Sequence, residues 1–255
     1  HMLKDELFVR TPEGMQPTPR AERMAEPIHQ ALQEIRVVLE ADEFDPSEAS
    51  RTFTIAANNY AARAVIPAFV RHVATLAPGV VVEVRPTGML HTLDLLDAGA
   101  TEVALEALTE GGERFKCVGL LEDDYVAILS SDHPIAAEPQ LSVEHIAGLP
   151  NITVTSSGDD TQFVDDALAE RGLARHVWAR VPLHSLLSVL IGSRALAVVP
   201  RRVAADFAST SPLIIRPLPF MSPRVSLAMI WHRRLDYHPA HRWLRATMLA
   251  SVKSS

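Results

Sequence analysis

Four groups of short polar residues stand where an apolar run gives way to an amphipathic one: Asn58, Asn59 and Tyr60; Thr87 and Gly88; Thr153, Thr155 and Ser156; and His184 with Ser185. Amides and hydroxyls at strand-to-helix junctions suit the holding of small polar or anionic ligands, because free backbone N–H groups converge there. Each group also has a plainer use. An asparagine caps a helix, a glycine makes a turn, a serine solvates a loop, and His184 with Ser185 serve capping or packing. Val199 and Pro200 close a further apolar run and would add a wall to such a site.

Catalysis finds less support. The carboxylate pairs Asp123-Asp124, Asp159-Asp160 and Asp165-Asp166 are adjacent in sequence, so their side chains diverge and solvated faces are expected for them. His232, His238 and His241 straddle a strand end, a proline turn and a helix start, with no Cys or Asp set completing a metal site. The chain has no G-x-S-x-G elbow, no G-x-G-x-x-G and no phosphate-binding loop. We therefore expect no enzymatic activity, no catalytic residue, no metal and no cofactor.

The elements that must position these groups alternate in period. Strands are expected over 53–57, 80–86 and 102–106, with helices over 61–76 and 89–98 between them. Two strand-like runs follow, 117–121 and 125–130, ended by Ser131-Asp132-His133-Pro134. A second series then reads as strand 151–155, helix 161–171, strand 176–181, helix 185–190, strand 195–200 and helix 201–207. Such alternation implies parallel sheets covered by helices. A last strand over 224–231 and a closing helix over 239–252 lack partners in the second series. Their return to the first sheet gives two α/β lobes joined by two crossovers, with a cleft between.

Composition narrows the class. With 255 residues, 47% hydrophobic and 22% charged, the chain is globular material sufficient for two modest cores. A net charge of -7 argues against this stretch gripping a nucleic-acid backbone unaided. The lone Cys117 suits a reducing compartment, and no apolar run reaches the roughly 20 residues that span a bilayer, so a cytoplasmic protein is expected. His1-Met2 resembles the scar of a removed tag, and no secretion leader follows it.

The N-terminal arm has its own logic. Leu7-Phe8-Val9-Arg10 is strand-like, and the three prolines and glycine of 11–19 favour an extended linker. Ala21, Ala25, Ile28, Leu32, Ile35 and Leu39 then step by alternating fours and threes, the seam of a helix that packs on another helix. An amphipathic helix lying on its own domain is the alternative. Pro27 must kink this helix or sit in its first turn. A charged, proline-containing stretch over 40–48 reads as a hinge.

The order of these phrases resembles the LysR-type transcriptional regulators: the linker helix, FDPSEASRTFTIA, IPAFVRHVATLAPGVVVEV, DLLDAGATEVAL, SSDHPIA, ALAVVPRRVA and HPAHRWLRATM, preceded by LFVRTPEGMQPTPRA. FDPSEASRTF and Val181-Pro182 are most similar to the branch holding the nodulation and the nitroaromatic- or salicylate-responsive regulators. One departure is Ile191-Gly192-Ser193-Arg194, where the family usually carries a glycine-rich turn.

The resemblance implies an α/β, type II periplasmic-binding-protein-like effector domain of two subdomains behind a linker helix. Its divisions would be 1–19, the remnant of a winged helix-turn-helix wing and connector; 20–42, the dimerisation helix with Ile28, Leu32, Ile35 and Leu39; 51–131 plus 224–255, subdomain I; and 132–223, subdomain II. It further implies a small aromatic or carboxylate-bearing effector in the cleft, a homodimer or homotetramer, DNA bound through an N-terminal domain, and no membrane partner. The inducer domains would pair side by side through helices 61–76 and 161–171. A transporter's solute-binding protein and a two-lobed enzyme remain as alternatives. The heptad helix favours the regulator over the first, and the absence of a convergent catalytic set disfavours the second.

Overall fold

The computed structural model describes residues 7–11, 14–25, 27–28, 44–87, 92–107, 112–154 and 161–253. They fall into two units, residues 1–44 and 45–255.

In the first unit, β1 (Phe8–Thr11) and β2 (Gly14–Pro17) form an antiparallel hairpin, with Thr11 opposite Gly14. Gly14 has φ of 121°, a left-handed value that a side chain would resist. The extended linker expected over 11–19 is thus partly a strand, since Gly14 lets the chain reverse before the prolines at 17 and 19. Residues 19–25 and 27–28 are helical and make up the described part of α1. The Thr18 hydroxyl accepts from the Ala21 N–H at 3.3 Å and caps the start of α1. Pro27 therefore lies beyond the first turn, and Ile28 is 47% exposed. Leu32, Ile35 and Leu39 lie outside the described residues.

The second unit holds two five-stranded sheets. The first has the order β4-β3-β5-β12-β6, from β3 (Thr52–Ala57), β4 (Val81–Pro86), β5 (Val103–Ala107), β6 (Phe115–Asp123) and β12 (Val225–His232). The second has the order β11-β7-β10-β8-β9, from β7 (Tyr125–Ser130), β8 (Pro150–Val154), β9 (His176–Val181), β10 (Leu196–Pro200) and β11 (Leu213–Pro217). In each sheet the three strands of the β/α series are parallel, as alternation predicts. The strands arriving from the other lobe, β7 and β12, run antiparallel to their neighbours. These are the two α/β lobes of the type II periplasmic-binding-protein-like fold.

The boundary between them differs from the expected one. β7 pairs with β10 and β11, so the first lobe ends at Asp123 and not at 131. Asp124 alone separates β6 from β7, and residues 218–224 make the return. Helix 61–76 is also two helices, α2 (Asn59–Ala64) and α3 (Ile66–Leu76), with Pro67 in the first turn of α3. Proline has no N–H to continue α2, and Val65 at φ -117° takes up the break. Helices α4 (Thr92–Asp97), α5 (Val143–Gly148), α6 (Gln162–Ala169), α7 (Leu183–Leu190), α8 (Arg201–Thr210) and α9 (Pro239–Lys253) complete the cover.

Each lobe has its own core. Phe53 and Phe69 are fully buried in the first, with Trp243 of α9 stacked 5.9 Å from Phe53. In the second, Tyr125, Leu129, Ile146, Val164, Leu168 and Leu196 cluster between the sheet and α5 and α6. Burying each such side chain contributes about 1.5–3 kcal/mol. Among the described residues no helix is long and apolar enough to cross a membrane.

Candidate functional site

The parallel strands of the first lobe end side by side. Ala57 of β3 is opposite both Pro86 of β4 and Leu105 of β5, so Asn58, Thr87 and Glu106 follow at one level. This is the carboxyl end of a parallel sheet, where α/β folds take ligands. Asn58 is buried and its side-chain oxygen accepts from the Ala61 N–H at 2.8 Å, so it caps α2. Asn59 is the half-buried first residue of that helix.

Thr87 is only 2% exposed, and its hydroxyl has no hydrogen-bond partner among the described residues. A buried hydroxyl without a partner costs about 1–3 kcal/mol, so its retention at a strand end needs a reason. Gly88 lies outside the described residues. Glu106 was not singled out from the sequence; it accepts from the Thr92 hydroxyl at 3.3 Å. Its only signal was its place at the end of the third parallel strand.

Tyr60 is 2% exposed, and its hydroxyl donates to the Asp123 carboxylate at 3.0 Å. Burial, then the Asp123 charge, push the phenol pKa upward, so it stays protonated and donating. In this geometry the Tyr60 hydroxyl is engaged by Asp123 at the crossover. Asp123 also accepts from the Arg202 backbone N–H at 3.0 Å, through the same oxygen. The solvated face expected for Asp123 is thus corrected: it is 5% exposed and joins the crossover to both lobes. Asp124 keeps the more exposed role and pairs with Arg201 at 2.6 Å. That guanidinium's hydrogen bond lowers the Asp124 pKa.

In the second lobe β8 lies between β10 and β9, so Thr153 and Val199 stand near the carboxyl end of one sheet. Thr153 is 9% exposed and Val199 1%; Pro200 is buried and immediately precedes α8. Thr155 and Ser156 lie outside the described residues. His184 is exposed in the first turn of α7, and the Ser185 N–H donates to the Pro182 carbonyl at 2.9 Å. The Arg194 side chain is exposed, while its carbonyl meets the buried His133 Nε2 at 3.2 Å. Gly192 supplies the turn with φ of 71°.

The two strand-end sets are linked by the helices that follow them. Arg63 of α2 contacts Asp206 of α8 at 2.6 Å, and its guanidinium sits 4.2 Å from the centre of the Phe207 ring. The carboxyl ends of β3 and β10 therefore face the same junction.

The histidines do other work. His241 is 1% exposed; its Nδ1 accepts from Arg245 at 2.7 Å, leaving Nε2–H to donate to the Glu102 carbonyl at 3.0 Å. His232 lies 3.4 Å from Asp97. Among the described residues no group of three or more His, Cys, Asp or Glu is arranged to hold a metal ion.

A scan against protein families matches residues 46–253 to the LysR substrate binding domain. The chain is 31% identical to the HTH-type transcriptional activator NahR of Pseudomonas putida over 248 residues, covering 96% of this chain and 82% of that protein. It is 29% identical to Nodulation protein D 1 of Rhizobium leguminosarum bv. phaseoli, covering 95% and 78%. Among solved structures, the probable transcriptional regulator PA0477 from Pseudomonas aeruginosa superposes with a TM-score of 0.69 at 30% identity, covering 96% of this chain and 83% of that one.

Proposed function

This chain belongs to the LysR family of transcriptional regulators and carries that family's effector-binding domain; from that premise we propose that it senses a small organic effector held between the two strand-end sets. The observation that supports this reading is Thr87, whose buried hydroxyl has no partner among the described residues beside the Asn58 cap and invites one from a ligand. Thr153 and the wall of Val199 and Pro200 would meet the ligand from the second lobe, with Asn59, Gly88, Thr155, Ser156, His184 and Ser185 as further candidates. A small aromatic or carboxylate-bearing compound suits a few polar anchors among apolar walls.

Effector binding would shift the equilibrium between lobe arrangements, and only a ligand that prefers one arrangement can do so. The signal would pass through the linker helix to an N-terminal DNA reader, of which the β1–β2 hairpin is the wing. Val70 and Leu76 of α3, Val81 of β4 and Trp178 of β9 are exposed apolar residues at the lobes' flanks. They suit the antiparallel side-by-side pairing of α3 with a second copy's α6, in a dimer or a pair of dimers in the cytoplasm.

The test is a thermal-shift screen with small aromatic and aliphatic carboxylates, followed by titration of hits against Thr87→Val. A ligand that prefers the folded state raises its melting temperature by mass action. Valine keeps the shape of threonine and removes the hydroxyl. The variant should be as stable as the parent or more so, while hits bind about tenfold more weakly, the value of one hydrogen bond. Genuine hits that bind Thr87→Val unchanged would contradict this site.

A further inference from the structure

Helices α2 and α8 belong to different lobes and meet through two sets of contacts. Tyr60 and Arg63 are three residues apart on α2, and Arg202 and Asp206 are four apart on α8, so each pair shares a helix face. The first rung is buried: the Tyr60 hydroxyl and the Arg202 N–H converge on one oxygen of Asp123, at 3.0 Å each, and the other Asp123 oxygen accepts from the Asp124 N–H at 2.9 Å. The second rung is half-exposed. Arg63 and Asp206 pair at 2.6 Å with side-chain exposures of 34% and 49%, and the guanidinium lies over Phe207.

The two rungs differ in what breaking them requires. Asp123 is part of the crossover, so the first rung stays in place when the lobes turn about it, and opening it would leave a buried carboxylate short of donors. Water can replace the partners of Arg63 and Asp206 at little cost, because a half-exposed pair is already partly solvated. The two crossovers, at Asp124 and over 218–224, leave a rotation about the line joining them free; a contact away from that line sets the angle.

We propose that α2 and α8 form an interlobe clasp in which the Tyr60–Asp123–Arg202 rung is the pivot and the Arg63–Asp206 rung is a releasable catch that fixes the angle between the lobes. Any lobe rotation that parts α2 from α8 must first open the catch. Its consequence for sensing rests on the cleft reading above; the clasp itself is tested without any effector, so the two can fail separately.

The experiment uses spin labels on cysteines introduced at Asp94 of α4 and Glu144 of α5, both exposed and one in each lobe, in a Cys117→Ser background. Labelled protein is diluted with unlabelled protein so that distances within one protomer dominate. The parent should give one narrow distance distribution without ligand. Arg63→Asp and Asp206→Arg should each broaden or displace it, Arg63→Gln should do so to a smaller degree, and the double charge swap should restore it, with circular dichroism showing all four folded. Single variants that leave the distribution unchanged, or a folded double swap that fails to restore it, would overturn the clasp.

Discussion

His241 is held as a neutral imidazole with one tautomer, because Arg245 can only donate to Nδ1 and the Glu102 carbonyl can only accept from Nε2. Burial above all, aided by the charges of Arg245 and His238, pushes its pKa down to about 4. The unfolded chain titrates near 6.5, so between those values the unfolded state binds the extra proton. Stability is therefore full above about pH 6.5 and falls as pH drops toward 4, by about 3 kcal/mol at most for such a shift. Denaturant midpoints measured across this range should show that slope, and His241→Gln should flatten it; an unchanged slope in the variant would assign it to other groups. The sequence made Asn58 legible as a cap because its partner lies three residues away. It did not make Tyr60 and Asp123 legible as a pair, because their bond spans 63 residues and exists only once β6 has joined the first sheet.

Gly79, in the turn between α3 and β4, sits under the segment that enters the second unit: a Cβ there would stand 2.6 Å from the Ala49 carbonyl oxygen. The obstacle is backbone, so it cannot swing aside. Gly79→Ala should cost about 1–3 kcal/mol in denaturant unfolding, as overpacking does; an unchanged midpoint would show that 45–50 is not seated there. Element types were largely readable from the sequence wherever the apolar period was clear, as in β9 over His176–Val181 and α9 over Pro239–Lys253. The misses have local causes. Helix 61–76 split because Pro67 ends one helix while its fixed φ suits the start of the next. α5 went unread although Ser142 and His145 form a reciprocal cap at its start, since a six-residue helix shows too few turns to reveal a period. β7 joins the second sheet against expectation, because a wholly buried strand carries no alternation to say which sheet it joins.

At the scale of the molecule, two lobes and their crossovers follow from the order of elements, and the family follows from the match over residues 46–253. Assembly does not, because the seam proposed at Leu32, Ile35 and Leu39 would act only through a partner. We expect light scattering at micromolar concentration to give a dimer or tetramer, with Val81→Glu and Trp178→Glu shifting it toward smaller species; a monomeric parent would contradict the pairing. The proposed placement of the effector is legible only as strand-end chemistry, and Thr87 gains weight from a buried hydroxyl with no partner among the described residues. Hydrogen exchange, with and without a saturating hit from the carboxylate screen, tests that placement most directly. Slowed exchange at the N–H groups following β3 and β4 in the first lobe, together with those following β8 and β9 in the second, is the predicted result. Protection confined to one lobe, or found only at the opposite ends of the strands, would contradict it.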